Sequence, residues 1–140
     1  MTSPLVSVGP YRIHYKLGGG GMGDIYLAEQ EPLGRRVALK VLPPEFGRDE
    51  ESVARFKREG QALAHLAHPN ICPIIDMGEQ AGLHYYAMEY LAGRDLADVM
   101  KTQYVSFERA ADIARQAAEA LDHAHKNGIV HRDVKPHNIF

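Results

Sequence analysis

The run Gly18-Gly19-Gly20-Gly21-Met22-Gly23 fits the spacing G-x-G-x-x-G, and its chemistry is that of backbone amides rather than side chains. Glycine has no Cβ, so N–H groups along such a run can come close to the oxygens of a polyphosphate. Where this spacing binds a dinucleotide it leads into a helix. Here Ile25-Tyr26-Leu27 continues as a strand, which rules that reading out. A strand on each side makes the glycines a flap that can close over a nucleotide; a flexible hairpin turn without a ligand is the alternative for the motif taken alone. A cation follows in Val37-Ala38-Leu39-Lys40, where alternation sends Val37 and Leu39 to one face and Ala38 and Lys40 to the other. Lys40 can therefore reach into a cleft beside the glycine turn. A lysine ending a strand is ordinarily just solvated unless an anion holds it, and Glu59 is the candidate, pointed inward on the helix turn that carries Phe56 and Leu63. Residues 40 and 59 are too far apart for a local helix pair, so their contact must be tertiary.

The elements that hold these groups follow from periodicity. Tyr11 to Leu17 and Ile25 to Glu29 alternate on either side of the glycines, and Val37 to Leu42 makes a third strand. From Asp49 the period becomes helical through Val53, Phe56, Gly60, Leu63 and Ala67, behind an acidic first turn and up to Pro69. Ile71 to Met77 and Leu83 to Leu91 read as strands around a Glu79 to Gly82 turn. The rest is helical: a short helix over Asp95 to Lys101, then a longer one begun by Ser106, running through Ile113, Ala117, Leu121 and Ala124 and closed by Asn127 and Gly128 in a left-handed cap. A short Ile129-Val130 strand then leads to His131-Arg132-Asp133-Val134-Lys135-Pro136-His137-Asn138. The expected fold is α+β: a five-stranded antiparallel sheet with one long helix, followed by the start of a helical lobe. No internal repeat or low-complexity tract divides the chain.

With this last segment the sequence resembles the eukaryotic-type protein kinases, in which a glycine flap, a strand lysine, a helix glutamate and H-R-D-x-K-x-x-N occur in this order. The resemblance covers residues 11 to 140. It implies a tail over 1–10, an ATP-binding sheet lobe over 11–91 and the truncated start of the helical lobe over 92–140. Lys135 resembles the lysine of the serine/threonine class, and Gly20-Gly21-Met22-Gly23 with Tyr26 is similar to bacterial members. The implied activity is transfer of the γ-phosphate of ATP to serine or threonine hydroxyls of a protein substrate, with Mg²⁺ as cofactor.

The resemblance also implies roles. Lys40 binds the α- and β-phosphates and Glu59 holds its ammonium in place. Asp133 orients the substrate hydroxyl and acts as base, Lys135 stabilises the γ-phosphoryl, and Asn138 offers a carbonyl oxygen to Mg²⁺. Ala87-Met88-Glu89-Tyr90-Leu91 resembles the hinge between lobes, with backbone groups of Glu89 and Leu91 pairing with the purine edge and Met88 behind the pocket. Leu17, Ile25 and Ala38 form apolar walls, Asp95 meets ribose hydroxyls, and Gly18 to Gly23 with Asp24 form the flap. For Leu17 and Met88, core packing is an equal reading. Arg132 resembles the arginine that receives an activation-loop phosphate.

Some residues depart from the family's pattern. His137 stands where a glutamate is usual, which puts a preference for basic substrates in doubt. Gly60 replaces the usual alanine after Glu59, at about 1 kcal/mol to the helix, which is then expected to be loosely held. The D-F-G aspartate, the activation loop and the A-P-E segment are not among these residues, so the 140-residue chain alone is expected to be inactive. The face of Ala117, Leu121 and Ala124 is expected to stand uncovered and to favour self-association or a kinase partner. The alternative function is a non-catalytic nucleotide-binding or kinase-docking module, against which the complete set of catalytic residues argues.

Composition bounds these readings. The chain has 140 residues, 45% hydrophobic and 24% charged, with a net charge of −2. That suits one folded unit, and no run of like charge favours a nucleic acid. Eight histidines include His123, His125 and His131. No cysteine or carboxylate cluster accompanies them, so no metal centre is expected of them. The single Cys72 is expected to be a buried small hydrophobe in a strand. No stretch is long and apolar enough for a membrane helix and Met1 to Pro10 lacks the pattern of a signal peptide, so a cytoplasmic setting is expected for these residues, with the question of a membrane anchor beyond the end left open.

Overall fold

The computed structural model describes residues 5–20 and 23–140. The described chain divides into two compact units, one taking in the chain up to Ala64 together with Pro73–Tyr90, the other His65–Cys72 with Leu91–Phe140.

The first unit is a six-stranded antiparallel sheet with one helix. Its strands are β1 (Ser7–Val8), β2 (Tyr11–Gly20), β3 (Gly23–Gln30), β4 (Arg35–Val41), β5 (Ile74–Gln80) and β6 (Leu83–Glu89), in the order β1-β2-β3-β4-β6-β5. Five strands were expected; the sixth, β1, falls in the stretch read as a tail. Val8 pairs with Tyr11 across Gly9-Pro10, where Gly9 takes φ +55°. Val8 and Tyr11 are both fully buried. The β5–β6 turn is also tighter than expected. Gln80 pairs with Leu83, and Ala81 and Gly82 both have positive φ, as a two-residue hairpin that follows the sheet twist requires.

Alternation along β4 works as the sequence implies. Val37, Leu39 and Val41 are buried with Val8, Tyr11, Ala28, Tyr85 and Ala87 on one face of the sheet. Each large side chain buried there contributes about 1.5–3 kcal/mol. Tyr11 and Tyr85 meet edge-on, and the Tyr11 hydroxyl donates to Asp76 Oδ2 at 2.8 Å. Burial and that carboxylate push the Tyr11 pKa up.

On the other face lies the helix α1 (Glu50–Ala64). Asp49 begins it: its Oδ2 accepts from the Ser52 N–H at 3.2 Å, and its carbonyl accepts from Val53. Phe56 packs on Tyr86 and Leu42, with Val53, Leu63, Met77 and Met88 around them. The helix stops at Ala64, before Ala67. Gly60 is buried, and a Cβ there would overlap Met77 Cε and lie 3.1 Å from Tyr86 Cδ1. The missing side chain thus lets α1 press on the sheet, which corrects the expectation of a loosely held helix.

The second unit holds α2 (Leu96–Thr102) and α3 (Phe107–Lys126). Ser106 caps α3, its Oγ accepting from the Arg109 N–H at 3.2 Å. Gly128 at φ +80° ends it, donating to the His125 carbonyl while Ile129 donates back to Ala124. This is the crossed pair of bonds typical of a glycine-terminated helix. Ile129 and Val130 are irregular rather than a strand. Cys72 is half-buried and also outside any strand. The α3 face expected to stand open is partly covered: Ala124 is buried, and Ala117 and Leu121 are half-buried. Part of the cover is the 65–72 segment, where Ala67 N–H donates to His123 Nε2 and Asn70 Nδ2 to Gln116 Oε1. No helix among the described residues is long and apolar enough to cross a membrane.

Candidate functional site

In the first unit the glycine run is built as two paired strands. Gly18, Gly19 and Gly20 end β2 opposite Ile25, Asp24 and Gly23 of β3. Gly21 and Met22, also expected in the flap, lie outside the described residues. Two of the glycines make room for neighbours. A Cβ on Gly19 would lie 3.0 Å from Lys16 Cε, where Lys16 pairs with Asp24 at 3.1 Å, and one on Gly23 would lie 2.6 Å from Lys40 Cε. Any side chain at 23 would displace the lysine.

Lys40 and Glu59 meet as expected. Register places Lys40 of β4 between Ile25 of β3 and Tyr86 of β6, on the face that α1 covers. Its Nζ donates to Glu59 Oε1 at 2.6 Å. The pair is half-sheltered, with side chains 20% and 40% exposed. A third group completes it. The Tyr86 hydroxyl donates to the same Glu59 oxygen at 2.5 Å, and the Tyr86 ring lies 5.5 Å from Lys40 Nζ. Burial works against the Glu59 charge, but the hydrogen bonds from Lys40 and Tyr86 outweigh it and hold the carboxyl below its ordinary pKa. Burial and the bond to Glu59 push the Tyr86 phenol upward.

Tyr86 escaped the sequence reading because β6 does not alternate: His84, Tyr85, Tyr86 and Ala87 are all buried. A signal was present in the gap that Gly60 leaves beside Glu59, which calls for a large neighbour. Of the expected apolar walls, Ile25 and Ala38 are half-buried, whereas Leu17 is 43% exposed; Met88, expected behind the pocket, is half-buried and pairs directly with Ala38. Glu89 closes β6, its N–H donating to the Pro73 carbonyl at 3.1 Å.

In the second unit the loop from His131 to Asn138 folds around Asp133. Arg132 takes φ +69°, a left-handed conformation that costs a non-glycine residue about 1–3 kcal/mol and turns the chain sharply. The Asp133 N–H donates to His131 Nδ1 at 3.1 Å. Asn138 sits at the end of a 3₁₀ turn (Pro136–Asn138), and its Nδ2 donates to the Asp133 carbonyl at 2.9 Å and to Oδ2 at 3.3 Å. Lys135 Nζ lies 3.3 Å from the same Oδ2. Two donors therefore meet on one carboxylate oxygen of Asp133, Oδ2. The Ile139 carbonyl accepts from the Leu96 N–H, tying this loop to the start of α2. Leu91 is exposed, and Asp95 caps α2, its Oδ1 accepting from the Asp98 N–H at 2.8 Å.

The donor set also bears on a divalent cation. With Nδ2 of Asn138 engaged by Asp133, the other end of the amide, Oδ1, is a hard oxygen of the kind Mg²⁺ prefers, next to a carboxylate. Among the described residues no group of three or more His, Cys, Asp and Glu could hold a metal.

The model of the protein kinase domain matches residues 11–140. A probable serine/threonine-protein kinase of Clostridium acetobutylicum is 48% identical over 131 residues, covering 93% of this chain and 20% of the relative. The serine/threonine-protein kinase PrkC of Bacillus subtilis is 44% identical over 133 residues, covering 94% of this chain and again 20% of the relative. The chain thus spans about a fifth of the length of these curated relatives. Among solved structures, the PknI kinase domain of Mycobacterium tuberculosis superposes with a TM-score of 0.76 at 35% identity, covering 99% of this chain and 57% of that one.

Proposed function

This chain belongs to the protein kinase domain family, and we propose that it binds ATP and serves transfer of the γ-phosphoryl group to serine or threonine hydroxyls of a protein substrate. The observation that carries this reading is the 2.6 Å Lys40–Glu59 pair, closed by Tyr86 beside the glycine strands. A solvated strand lysine has no need of a half-sheltered carboxylate held by a second donor; one that must hold phosphates in a fixed place does.

In this reading Lys40 grips the α- and β-phosphates while backbone N–H groups of residues 18–23 cover them, and Asp24, paired with Lys16, steadies the flap. Ile25, Ala38, Leu17 and Met88 contact the adenine, whose edge pairs with backbone groups of Glu89 and Leu91. Asp95 receives a ribose hydroxyl on the carboxylate oxygen not used in capping. Asp133 accepts the hydrogen bond of the substrate hydroxyl and takes its proton late in the reaction, and Lys135 meets charge on the γ-phosphoryl. Asn138 Oδ1 is the residue atom that would hold Mg²⁺. When bound, that ion neutralises phosphate charge. The similarity to bacterial serine/threonine-protein kinases supports the serine/threonine class.

Titration with a fluorescent ATP analogue tests the reading. Lys40→Ala removes a charged hydrogen-bond donor of the kind that contributes about 1.5–3 kcal/mol, so affinity should fall at least about tenfold. Equal affinity of the two proteins would contradict it.

A further inference from the structure

We propose that Tyr86 is a positioning residue for the phosphate-binding pair: its hydroxyl holds Glu59 in place independently of Lys40. The proposal rests on the ATP-binding reading above and gives a role to Tyr86, to which that reading assigns none of its own. Both donors converge on one atom, Glu59 Oε1, with Lys40 Nζ at 2.6 Å and the Tyr86 hydroxyl at 2.5 Å. A carboxylate anchored by the lysine alone would lose its fix whenever that lysine turned to a phosphate. A phenol cannot make that choice, because its ring is locked.

Tyr86 is 2% exposed, its ring centroid 5.1 Å from that of Phe56. Gly60, next in sequence to Glu59, lets the helix backbone reach the ring. The two residues fit as a pair: the absent side chain at 60 makes the space, and the ring fills it and delivers a hydroxyl to the neighbouring glutamate. Lys40 therefore finds its partner already in place and exchanges contacts with phosphate without moving α1. Among the described residues, the titratable groups facing Glu59 are Lys40 from β4 and Tyr86 from β6, while β5 brings the uncharged Met77 against Gly60.

The test is a double-mutant cycle on the 140-residue chain, with a fluorescent ATP analogue and Mg²⁺ as probe. Tyr86→Phe keeps the ring on Phe56 and removes only the hydroxyl. We expect affinity to fall about fivefold in the wild-type background and less than about twofold in a Glu59→Gln background, because the hydroxyl acts through the glutamate. The acid limb of the affinity profile should also move to higher pH in Tyr86→Phe, since the carboxylate loses a donor that favours its charged form. Tyr85→Phe, on the opposite face of the sheet, serves as the control and should bind as the wild type does. Equal losses in both backgrounds, no loss at all, an unmoved acid limb, or an unfolded Tyr86→Phe protein would each overturn the proposal, the last by making Tyr86 a structural strut. Wild-type protein that binds no nucleotide would instead defeat the ATP-binding reading on which the proposal stands.

Discussion

Gly60→Ala is the perturbation for which helix propensity and packing disagree most clearly. Propensity alone favours the change by about 1 kcal/mol, since alanine is the best helix former and glycine the poorest apart from proline. Packing opposes it. The new Cβ would overlap Met77 Cε and stand 3.1 Å from Tyr86 Cδ1 and 3.6 Å from Cγ. The methionine tip can rotate away at small cost, but the tyrosine cannot retreat: Phe56 backs its ring and Glu59 holds its hydroxyl. Overpacking of this kind costs about 1–3 kcal/mol, so the net expectation is a loss of about 1 kcal/mol, or some 4–8 °C in Tm for a unit of this size. Thermal melts followed by circular dichroism read it directly. The same substitution in a Tyr86→Leu background supplies the control, because the ring that cannot retreat is gone and the penalty should shrink or reverse. A rise in Tm for Gly60→Ala alone, of the size propensity gives, would refute the reasoning and show that α1 does not press on the sheet.

Gly128→Ala forces a side chain into the left-handed conformation that ends α3 and should cost about 1–2 kcal/mol, measured as a lower urea midpoint with unchanged slope. Acid sensitivity should depend on Glu59. Its folded pKa lies below the ordinary value despite burial, because Lys40 and Tyr86 donate to it, so its contribution is present above the ordinary carboxyl pKa and is lost as pH falls through the folded one. Urea midpoints at stepped pH should therefore fall more steeply on acidification for the wild type than for Glu59→Gln, and parallel curves would contradict this. On the alkaline side the raised Tyr86 pKa works in the opposite sense. Its stabilisation is present below the ordinary tyrosine value and is lost as pH rises through the folded one, a loss that Tyr86→Phe should abolish.

Much of the first unit is legible in the sequence because alternation and helical period report faces directly. Val37, Leu39 and Val41 go to one core and Phe56 to the other, and Lys40 meets Glu59 because strand and helix faces were both readable. The caps at Ser106 and Gly128 are equally local, fixed by one side-chain oxygen and one positive φ. What escaped is set by distance in the chain or by exceptions to period. The β1 strand is two residues long, too short for alternation to register, and the Gly9-Pro10 turn beside Val8 was its only mark. Tyr86 sits in an unbroken buried run, and its partner is a helix residue far back in the sequence. Gly60 was read through propensity, a property of an isolated helix, whereas its role is a contact that only the packed helix makes. Asp95, a candidate ribose ligand in the sequence, is a helix cap in the fold, its Oδ1 accepting from the Asp98 N–H.

The central claim, that Lys40 is held in place for the phosphates of ATP, is tested most directly by an acyl phosphate of ATP, which transfers its acyl group to a lysine amine near the bound phosphates. Peptide mapping by mass spectrometry then reports which of the six lysines is labelled. The account predicts acylation of Lys40, with or without Lys135, that excess ATP suppresses. Label confined to Lys16, Lys57, Lys101 and Lys126, and indifferent to ATP, would contradict it.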